Sequence, residues 1–347
     1  MAYTTINKST DYFNTKLYTG NGTTDHAQTG VGFQPDWTWI KDRSATESHF
    51  VFDAVRGHSK YIFPNGNNAE GTDATGILKS FDSDGFTLGT NDGVNKNSDN
   101  YASWNWKANG AGSANTSGSI NSTVSVNTTA GFSIVKFTTP SSGTFTVGHG
   151  LGAVPKVWLH KCLDDTDNWQ MYHQGIGNTK KLMLNSTGAE GTSAIWQDTT
   201  PTNSLMYLGA AGTHLNANDS HIAYCFAEKT GYSKFGTYTG NENANGTFVY
   251  TGMKPAWILV KKSSSGSVQN WYLWDNKRDS FNLADTPLKP DENLAESGIG
   301  AYKIDILSNG FKFRGTESQI NASGATYIYI AFGQSLVGSN NVPCTAR

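Results

Sequence analysis

The chain has 347 residues with 26 basic and 28 acidic side chains, a formal net charge of −2; with no basic excess to grip phosphates, nucleic acid is excluded as an expected partner. Charged residues make up only 16% against 12% aromatics, and Gly, Asn, Ser and Thr abound without helix-forming runs of Ala, Leu, Glu or Lys. That balance excludes a helical protein and predicts many short strands joined by turns, in two or three domains.

In chain order, a first unit is predicted over residues 1–110. An opening strand leads to Tyr18-Thr-Gly-Asn-Gly22. The stretch Gly32-Phe-Gln-Pro-Asp-Trp-Thr-Trp-Ile-Lys41 follows. Gly permits a turn, Pro fixes φ and blocks pairing at the start of a strand, and the β-rich run then pairs. His49-Phe-Val-Phe-Asp-Ala-Val-Arg-Gly57 comes next, and Ser80-Phe-Asp-Ser-Asp-Gly-Phe-Thr-Leu-Gly89 reads as a hairpin turning at Asp84-Gly85. Tyr101-Ala-Ser-Trp-Asn-Trp-Lys107 alternates aromatic with small or polar residues, as a half-buried closing strand does. Residues 111–130, led by Gly110-Ala-Gly-Ser-Ala-Asn-Thr-Ser-Gly-Ser119, read by composition as a flexible linker.

The same Gly–Pro–apolar–Lys signature returns as Gly152-Ala-Val-Pro-Lys-Val-Trp-Leu-His-Lys161 and as Gly252-Met-Lys-Pro-Ala-Trp-Ile-Leu-Val-Lys261. Three copies with matching flanks predict tandem related units. The second, 131–230, opens on Phe132-Ser-Ile-Val-Lys-Phe137 and closes on His221-Ile-Ala-Tyr-Cys-Phe226, with Asn203-Ser-Leu-Met-Tyr-Leu-Gly209 standing where the hairpin was. The third, 231–347, repeats Tyr238-Thr-Gly-Asn241, carries a hairpin in Leu307-Ser-Asn-Gly-Phe-Lys-Phe-Arg314 turning at Asn309-Gly310, and closes on Tyr327-Ile-Tyr-Ile-Ala-Phe332 before a tail. The expected fold class is all-β: three tandem antiparallel β-sandwich domains, jelly-roll or concanavalin-like. The segment 231–347 is expected to fold alone.

Asp53-x-x-Arg56 and Asp275-x-x-Arg278 take equivalent places, where the middle unit has His173-Gln-Gly-Ile176. Each is expected to be a turn pinned by an ion pair, with Asp also accepting from backbone amides. Asp82-Ser-Asp84-Gly85 and Asp164-Asp-Thr-Asp167 cluster carboxylates without EF-hand spacing, and are read as solvated turns with no metal. Alternation puts Trp37, Trp39, Val157, Leu159, Trp257 and Leu259 on one core face. Opposite lie Thr38, Ile40, Ile258 and Val260, but Trp158 and His160 in the middle unit. With Gln170 and Tyr172 on the next strand, Trp158, His160, Gln170 and Tyr172 are the carbohydrate-binding candidates, combining ring faces with hydrogen-bonding groups. The alternative is that Trp158 packs against a neighbouring domain or subunit.

Catalytic signatures are missing: no HExxH, GxSxG, P-loop or helix-opening GxGxxG. No strand carries the alternating acidic residues of concanavalin-like glycosidases, which work through paired carboxyls. No catalytic residue and no cofactor is expected, and the chain reads as not an enzyme. Cys162, Cys225 and Cys344 are odd in number and form no CxxC, so reduced thiols are expected. No apolar run approaches the ~20 residues of a membrane span, and Met1-Ala-Tyr-Thr-Thr-Ile-Asn-Lys8 has no apolar signal region. Synthesis in a cytoplasm without membrane insertion is expected.

The stretches Tyr12-Phe-Asn-Thr-Lys-Leu-Tyr-Thr-Gly-Asn-Gly22, Gly32-Phe-Gln-Pro-Asp-Trp-Thr-Trp-Ile-Lys-Asp-Arg43, Phe52-Asp-Ala-Val-Arg-Gly57 and Gly231-Tyr-Ser-Lys-Phe-Gly-Thr-Tyr-Thr-Gly-Asn241 resemble a family common in tailed phages of marine bacteria, described as tail-fibre or virion structural proteins. So do Asp305-Ile-Leu-Ser-Asn-Gly-Phe-Lys-Phe-Arg314, Asn321-Ala-Ser-Gly-Ala-Thr-Tyr-Ile-Tyr-Ile-Ala-Phe332 and Val342-Pro-Cys-Thr-Ala-Arg347. The resemblance covers nearly the whole chain. It implies a virion component with lectin-like sandwich domains, located on the particle among other virion proteins, with no established catalytic residues. The residues agree in class, because a weakly charged all-β chain suits a particle component that forms symmetric homo-oligomers. The expected function is a virion structural protein, tail-fibre or tail-associated, that binds host-surface glycan. The alternatives are capsid decoration or a tail scaffold without a receptor, and a glycan depolymerase.

Overall fold

A computed structural model describes residues 4–264, 268–298 and 300–335. The expected tail, with Cys344 and the motif 342–347, lies outside the described residues. What is described is antiparallel sheet throughout, with two single-turn α-helices, Asp92–Asn95 and Ser318–Asn321, and two short 3-10 turns. The all-β class therefore stands.

Each predicted unit contributes one inner sheet built on the same four strands, alone in the first and third units and at the centre of an eight-stranded sheet in the second. The opening strands are Phe13–Thr19, Phe132–Thr138 and Ser233–Thr239. The signature strands are Trp37–Asp42, Val157–Cys162 and Met253–Lys262. Each is followed by a corner strand, Phe50–Asp53, Gln170–His173 or Tyr272–Asp275. The closing strands are Asn100–Trp106, Ser220–Phe226 and Thr326–Ser335. In all three sheets the order is opening, closing, signature, corner. The registers are equivalent too. Trp37 opposes Trp106 and Asp53, Val157 opposes Phe226 and His173, and Trp257 opposes Phe332 and Asp275.

The signature folds this way for local reasons. Gly32, Gly152 and Gly252 all adopt positive φ, +93°, +66° and +71°, which a side chain would resist. Pro35 and Pro155 stand just ahead of their strands. In the third unit the strand starts earlier, at Met253, so Pro255 lies inside it. A proline has no amide hydrogen to donate, and the pairing with the closing strand shifts register between Pro255 and Trp257.

The inner sheets share one core. Trp37, Trp39, Trp104 and Trp106 of the first unit, Phe132, Leu159, Tyr224 and Phe226 of the second, and Trp257, Leu259, Ile330 and Phe332 of the third form a single buried cluster. The equivalent residues Trp106, Phe226 and Phe332 meet near its centre, with Trp106–Phe332 ring centroids at 5.6 Å and Phe226–Phe332 at 5.4 Å. The opposite face of each inner sheet is covered as well, by a separate core that each unit builds for itself. The signature strands are thus buried on both faces.

Those second cores are closed by smaller outer sheets. In the first unit the strand His26–Thr29 pairs Gly85–Leu88, which pairs Leu78–Asp82. In the third, Phe248–Tyr250 pairs Gly310–Phe313, which pairs Ile304–Leu307. In the second, Gly143–Gly148 pairs Leu205–Ala211, so the stretch around 203–209 does stand in the hairpin's place. Both expected hairpins form, but their two-residue loops are Ser83-Asp84 and Ser308-Asn309, one residue before the predicted turns. The glycine after each loop matters for packing instead. A Cβ on Gly85 would lie 1.9 Å from the Gln28 carbonyl oxygen, and one on Gly310 2.1 Å from that of Val249. Glycine lets the edge strand come close.

The expected flexible linker is corrected. Residues Ser113–Asn115 and Ser122–Asn127 are strands that extend the second inner sheet beyond its opening strand. The turn before them is held by Asp36, whose carboxylate accepts from the Ala108 and Gly110 amides at 2.7 and 3.0 Å. Composition read these residues as loose because Ser, Thr and Asn pair as readily as they turn when a neighbouring strand supplies the ladder.

Candidate functional site

The Asp–Arg pairs are corner turns, as expected, but they also face a neighbouring unit. Asp53 Oδ1 accepts from the Val55 and Arg56 amides at 3.0 and 2.8 Å, and its Oδ2 lies 2.5 Å from Arg56 Nε. The Tyr224 hydroxyl of the second unit donates to that same Oδ2 at 2.7 Å. At the equivalent seam, Asp275 of the third unit pairs with Arg278 and accepts from the indole of Trp104 in the first unit at 3.0 Å. At the remaining seam, His173 of the second unit reaches the Tyr329 carbonyl of the third at 3.2 Å. Trp104, Tyr224 and Ile330 are equivalent by register. Where the partner is Ile330, it has no hydrogen to donate, and the corner residue is a histidine rather than an aspartate.

Backbone bonds repeat the same circuit. The amides of Glu70, Glu190 and Glu296 donate to the carbonyls of Leu163, Ser263 and Arg43, at 2.8, 3.0 and 2.9 Å. The unit order 1→2, 2→3, 3→1 closes into a ring. Glu70 and Glu296 also meet Arg56 and Arg278. Burial opposes charge on Asp275, but Arg278 and the amide and indole donors hold its carboxyl below the usual range. These groups are fully engaged with one another, which is the chemistry of a joint rather than of a reacting centre.

The signature's closing lysine is buried in every unit. Lys41 Nζ donates to the Glu47 carbonyl at 2.7 Å and to the Asn293 carbonyl across a seam at 3.2 Å. Lys261 does likewise with Gln269 and, across a seam, Ser186. Burial lowers both, to about 8.

The four expected sugar-binding residues are brought together on one sheet, but inside it. Trp158, His160, Gln170 and Tyr172 are 1%, 0%, 4% and 3% exposed. Trp158 stacks on Tyr172 at 4.0 Å, and Trp196 covers the pair edge-on. His160 stacks on His221 at 4.8 Å and on Phe137 at 5.8 Å. As placed, none offers a ring face to solvent, so the expected open platform is corrected to a packed core. Trp158 packs within its own unit, not against a neighbour. The alternation was sound; what it could not show is that the opposite face has a sheet over it.

The loop carboxylates are satisfied locally. Asp84 accepts from the Gly30 and Gly32 amides at 2.9 and 2.6 Å, which tie the first unit's edge strand to its hairpin and lower the Asp84 carboxyl. Asp82 holds Ser80 and Thr87, and Asp164 the Ser220 amide. Asp165, Asp167, His214, Asn216 and Asp219 line a shallow polar depression in the second unit. Among the described residues no three His, Cys, Asp or Glu side chains are grouped to hold a metal ion. Cys162 and Cys225 are buried free thiols, both raised by burial.

A set of exposed apolar side chains escaped the reading of the sequence. Among the described residues, the large ones are Val154 and then Phe248, Tyr250, Val268, Phe281, Leu283 and Leu294, all of the latter in the third unit. Phe248 and Tyr250 flank buried Val249 on the outer edge strand. The signal was present as apolar residues at every position of a three-residue strand, where alternation predicts one dry face and one wet face.

Residues 8–335 match the family model described as a domain of unknown function, DUF7483, and the chain belongs to that family. No curated protein and no solved structure matches it. Among the described residues no helix is long and apolar enough to cross a membrane.

Proposed function

We propose that this chain is a bacteriophage virion structural protein, tail-fibre or tail-associated, that presents its outward sheets to the host surface and binds glycan there. In this reading residues 1–110, 131–230 and 231–347 are lectin-like sandwich domains, each pairing an inner with an outer sheet, and the chain assembles with other virion proteins as a homo-oligomer. The observation that carries the reading is the closed ring. Every inner sheet is committed to the shared core and every seam to a neighbouring unit, which leaves the outer sheets and their loops to meet a partner. The family resemblance of the repeats supports the particle assignment. The engagement of Asp53, Asp84, Asp164 and Asp275 with amides, Arg and Tyr favours presentation over acid–base catalysis.

The test is binding of the purified chain to host cells and host envelope fractions. Saturable binding is expected, and its absence from every fraction would overturn the receptor role. Cryo-EM of the particle should place copies at the tail periphery. Copies on the head shell would support capsid decoration instead.

A further inference from the structure

The outer sheets of the first and third units have the same pairing, so each is a control for the other. Register makes Ala27 equivalent to Phe248, Thr29 to Tyr250, and Thr87 to Lys312. The first unit's outward face is small and polar, with Ser80 and Thr87 both bonded to Asp82. The fold is complete with that face, so the fold itself does not require exposed aromatics there. Yet Phe248 is 43% and Tyr250 56% exposed. The Phe248 ring reaches over Gly310, where a Cβ would meet ring carbons at 3.0 and 3.1 Å. The side chain is left partly open to solvent on the same side of the strand as Tyr250.

Charge differs between the two faces as well. Beside the aromatics stands Lys312, directly opposite Phe248 in register. Its Nζ bonds the Asn245 side-chain oxygen at 2.5 Å, and among the described residues it has no carboxylate within ion-pair distance. Asp305, opposite Lys312 in register where the first unit has Ser80, is paired with Arg314 at 3.3 Å. The first unit has Asp82 where this face has Leu307, and no lysine opposite Ala27. The change from one face to the other is thus the gain of two aromatic rings and of a net positive charge, Lys312 and Arg314 against Asp305.

We infer that the outer face of the third unit, centred on Phe248 and Tyr250, binds an acidic pyranose of a surface polysaccharide. The apolar C–H face of the sugar lies on the rings, where burial of aromatic and aliphatic surface stabilises it. The Lys312 ammonium meets the sugar carboxylate, and Asn245 accepts or donates to hydroxyls. The face is open, so a single contact is weak and repeated copies on a particle add avidity. The site deepens the host-surface reading above and rests on it.

The experiment titrates the full chain with oligogalacturonate, a carboxylate-bearing probe, and with a neutral cello-oligosaccharide, by calorimetry. Saturable binding of the acidic probe is expected, weakening with salt. The variants Phe248→Ala and Tyr250→Thr rebuild the first unit's residues at exposed positions, and each should weaken binding about tenfold or more with the melting temperature unchanged. Lys312→Gln should remove the preference for the acidic probe, while Thr29→Ala in the first unit should change nothing. No saturable binding, equal binding of the neutral probe, or unchanged binding in all three variants would overturn the inference. So would loss of assembly with another virion protein as the variants' main effect, which would make the face a protein interface. A wild-type chain that binds host envelope but not uronate sinks this site alone. One that binds uronate but no envelope fraction sinks the host-surface reading and leaves the site.

Discussion

The Tyr224 hydroxyl reaches from the second unit's closing strand to Asp53 at the first unit's corner, 2.7 Å away. Asp53 is thereby shared by its own Arg56 and by another unit, and it is fully buried. The same arrangement joins Trp104 to Asp275, so two of the three seams rest on a carboxylate that serves as turn and clasp at once.

Removing that clasp should have graded effects. Tyr224→Phe deletes one charge-assisted hydrogen bond and should cost about 1.5–3 kcal/mol. Asp53→Ala leaves the Arg56 guanidinium, whose side chain is 0% exposed, without its main partner, and should cost about 3–5 kcal/mol. Denaturant midpoints at constant m-value measure both. An Asp53→Ala cost below that of Tyr224→Phe would refute the shared-carboxylate account.

The middle corner should reject an aspartate. His173→Asp would place a carboxylate opposite Ile330 with Ile176 where an arginine stands in the other units. The charge would be buried with the Gly175 amide as a donor but without a cation, and a loss of several kcal/mol is expected. A neutral result would mean that the seam opens to water, against the burial of His173.

Acid should loosen the protein through its histidines. Burial lowers His149, His173 and His221 to about 4, with weaker opposing contributions from the Thr202 and Tyr329 carbonyls and from Asp219. Their folded pKa lies below the unfolded value of 6.5, so the unfolded chain binds more protons between these values. Stability is then full above about pH 6.5 and falls as pH drops toward 4, by ~1.4 kcal/mol per pH unit for each histidine. Burial raises Asp291 to about 6, and its opposite slope offsets roughly one histidine. Unfolding free energies at a series of pH values between 4 and 7 should rise with pH; a flat or falling profile would refute buried neutral imidazoles.

Trp158 should behave as core. Trp158→Ala removes a fully buried indole from its stack on Tyr172 under Trp196 and should cost about 3–5 kcal/mol. Binding to host envelope, measured on the folded fraction, should not change. Loss of binding at full stability would restore Trp158 as a ligand platform.

The repeats were legible because each unit spends the same glycine, proline and lysine on the same strand, and those choices are local. The faces of Trp37, Trp39 and Leu159 were legible because alternation is local too. What alternation cannot show is how many layers a strand sits between. Trp158 and His160 looked like an outward platform because their strand was imagined with one wet face, whereas a signature strand has a core on each side. The seams were invisible for the same reason: Tyr224 and Asp53, far apart in sequence, become neighbours only when three sheets close on one core. The ring also revises the expectation that 231–347 folds alone, since the isolated third unit would expose Trp257, Leu259, Ile330 and Phe332.

The most direct test of three units on one shared core is equilibrium unfolding of the intact chain followed by two probes. Most of the buried tryptophans, including Trp37, Trp39, Trp104, Trp106 and Trp257, report the shared core, while far-UV circular dichroism reports all sheets. A single transition with coincident midpoints is predicted. Two or three separated transitions, with strand signal surviving after tryptophan fluorescence has changed, would show independent domains and contradict it.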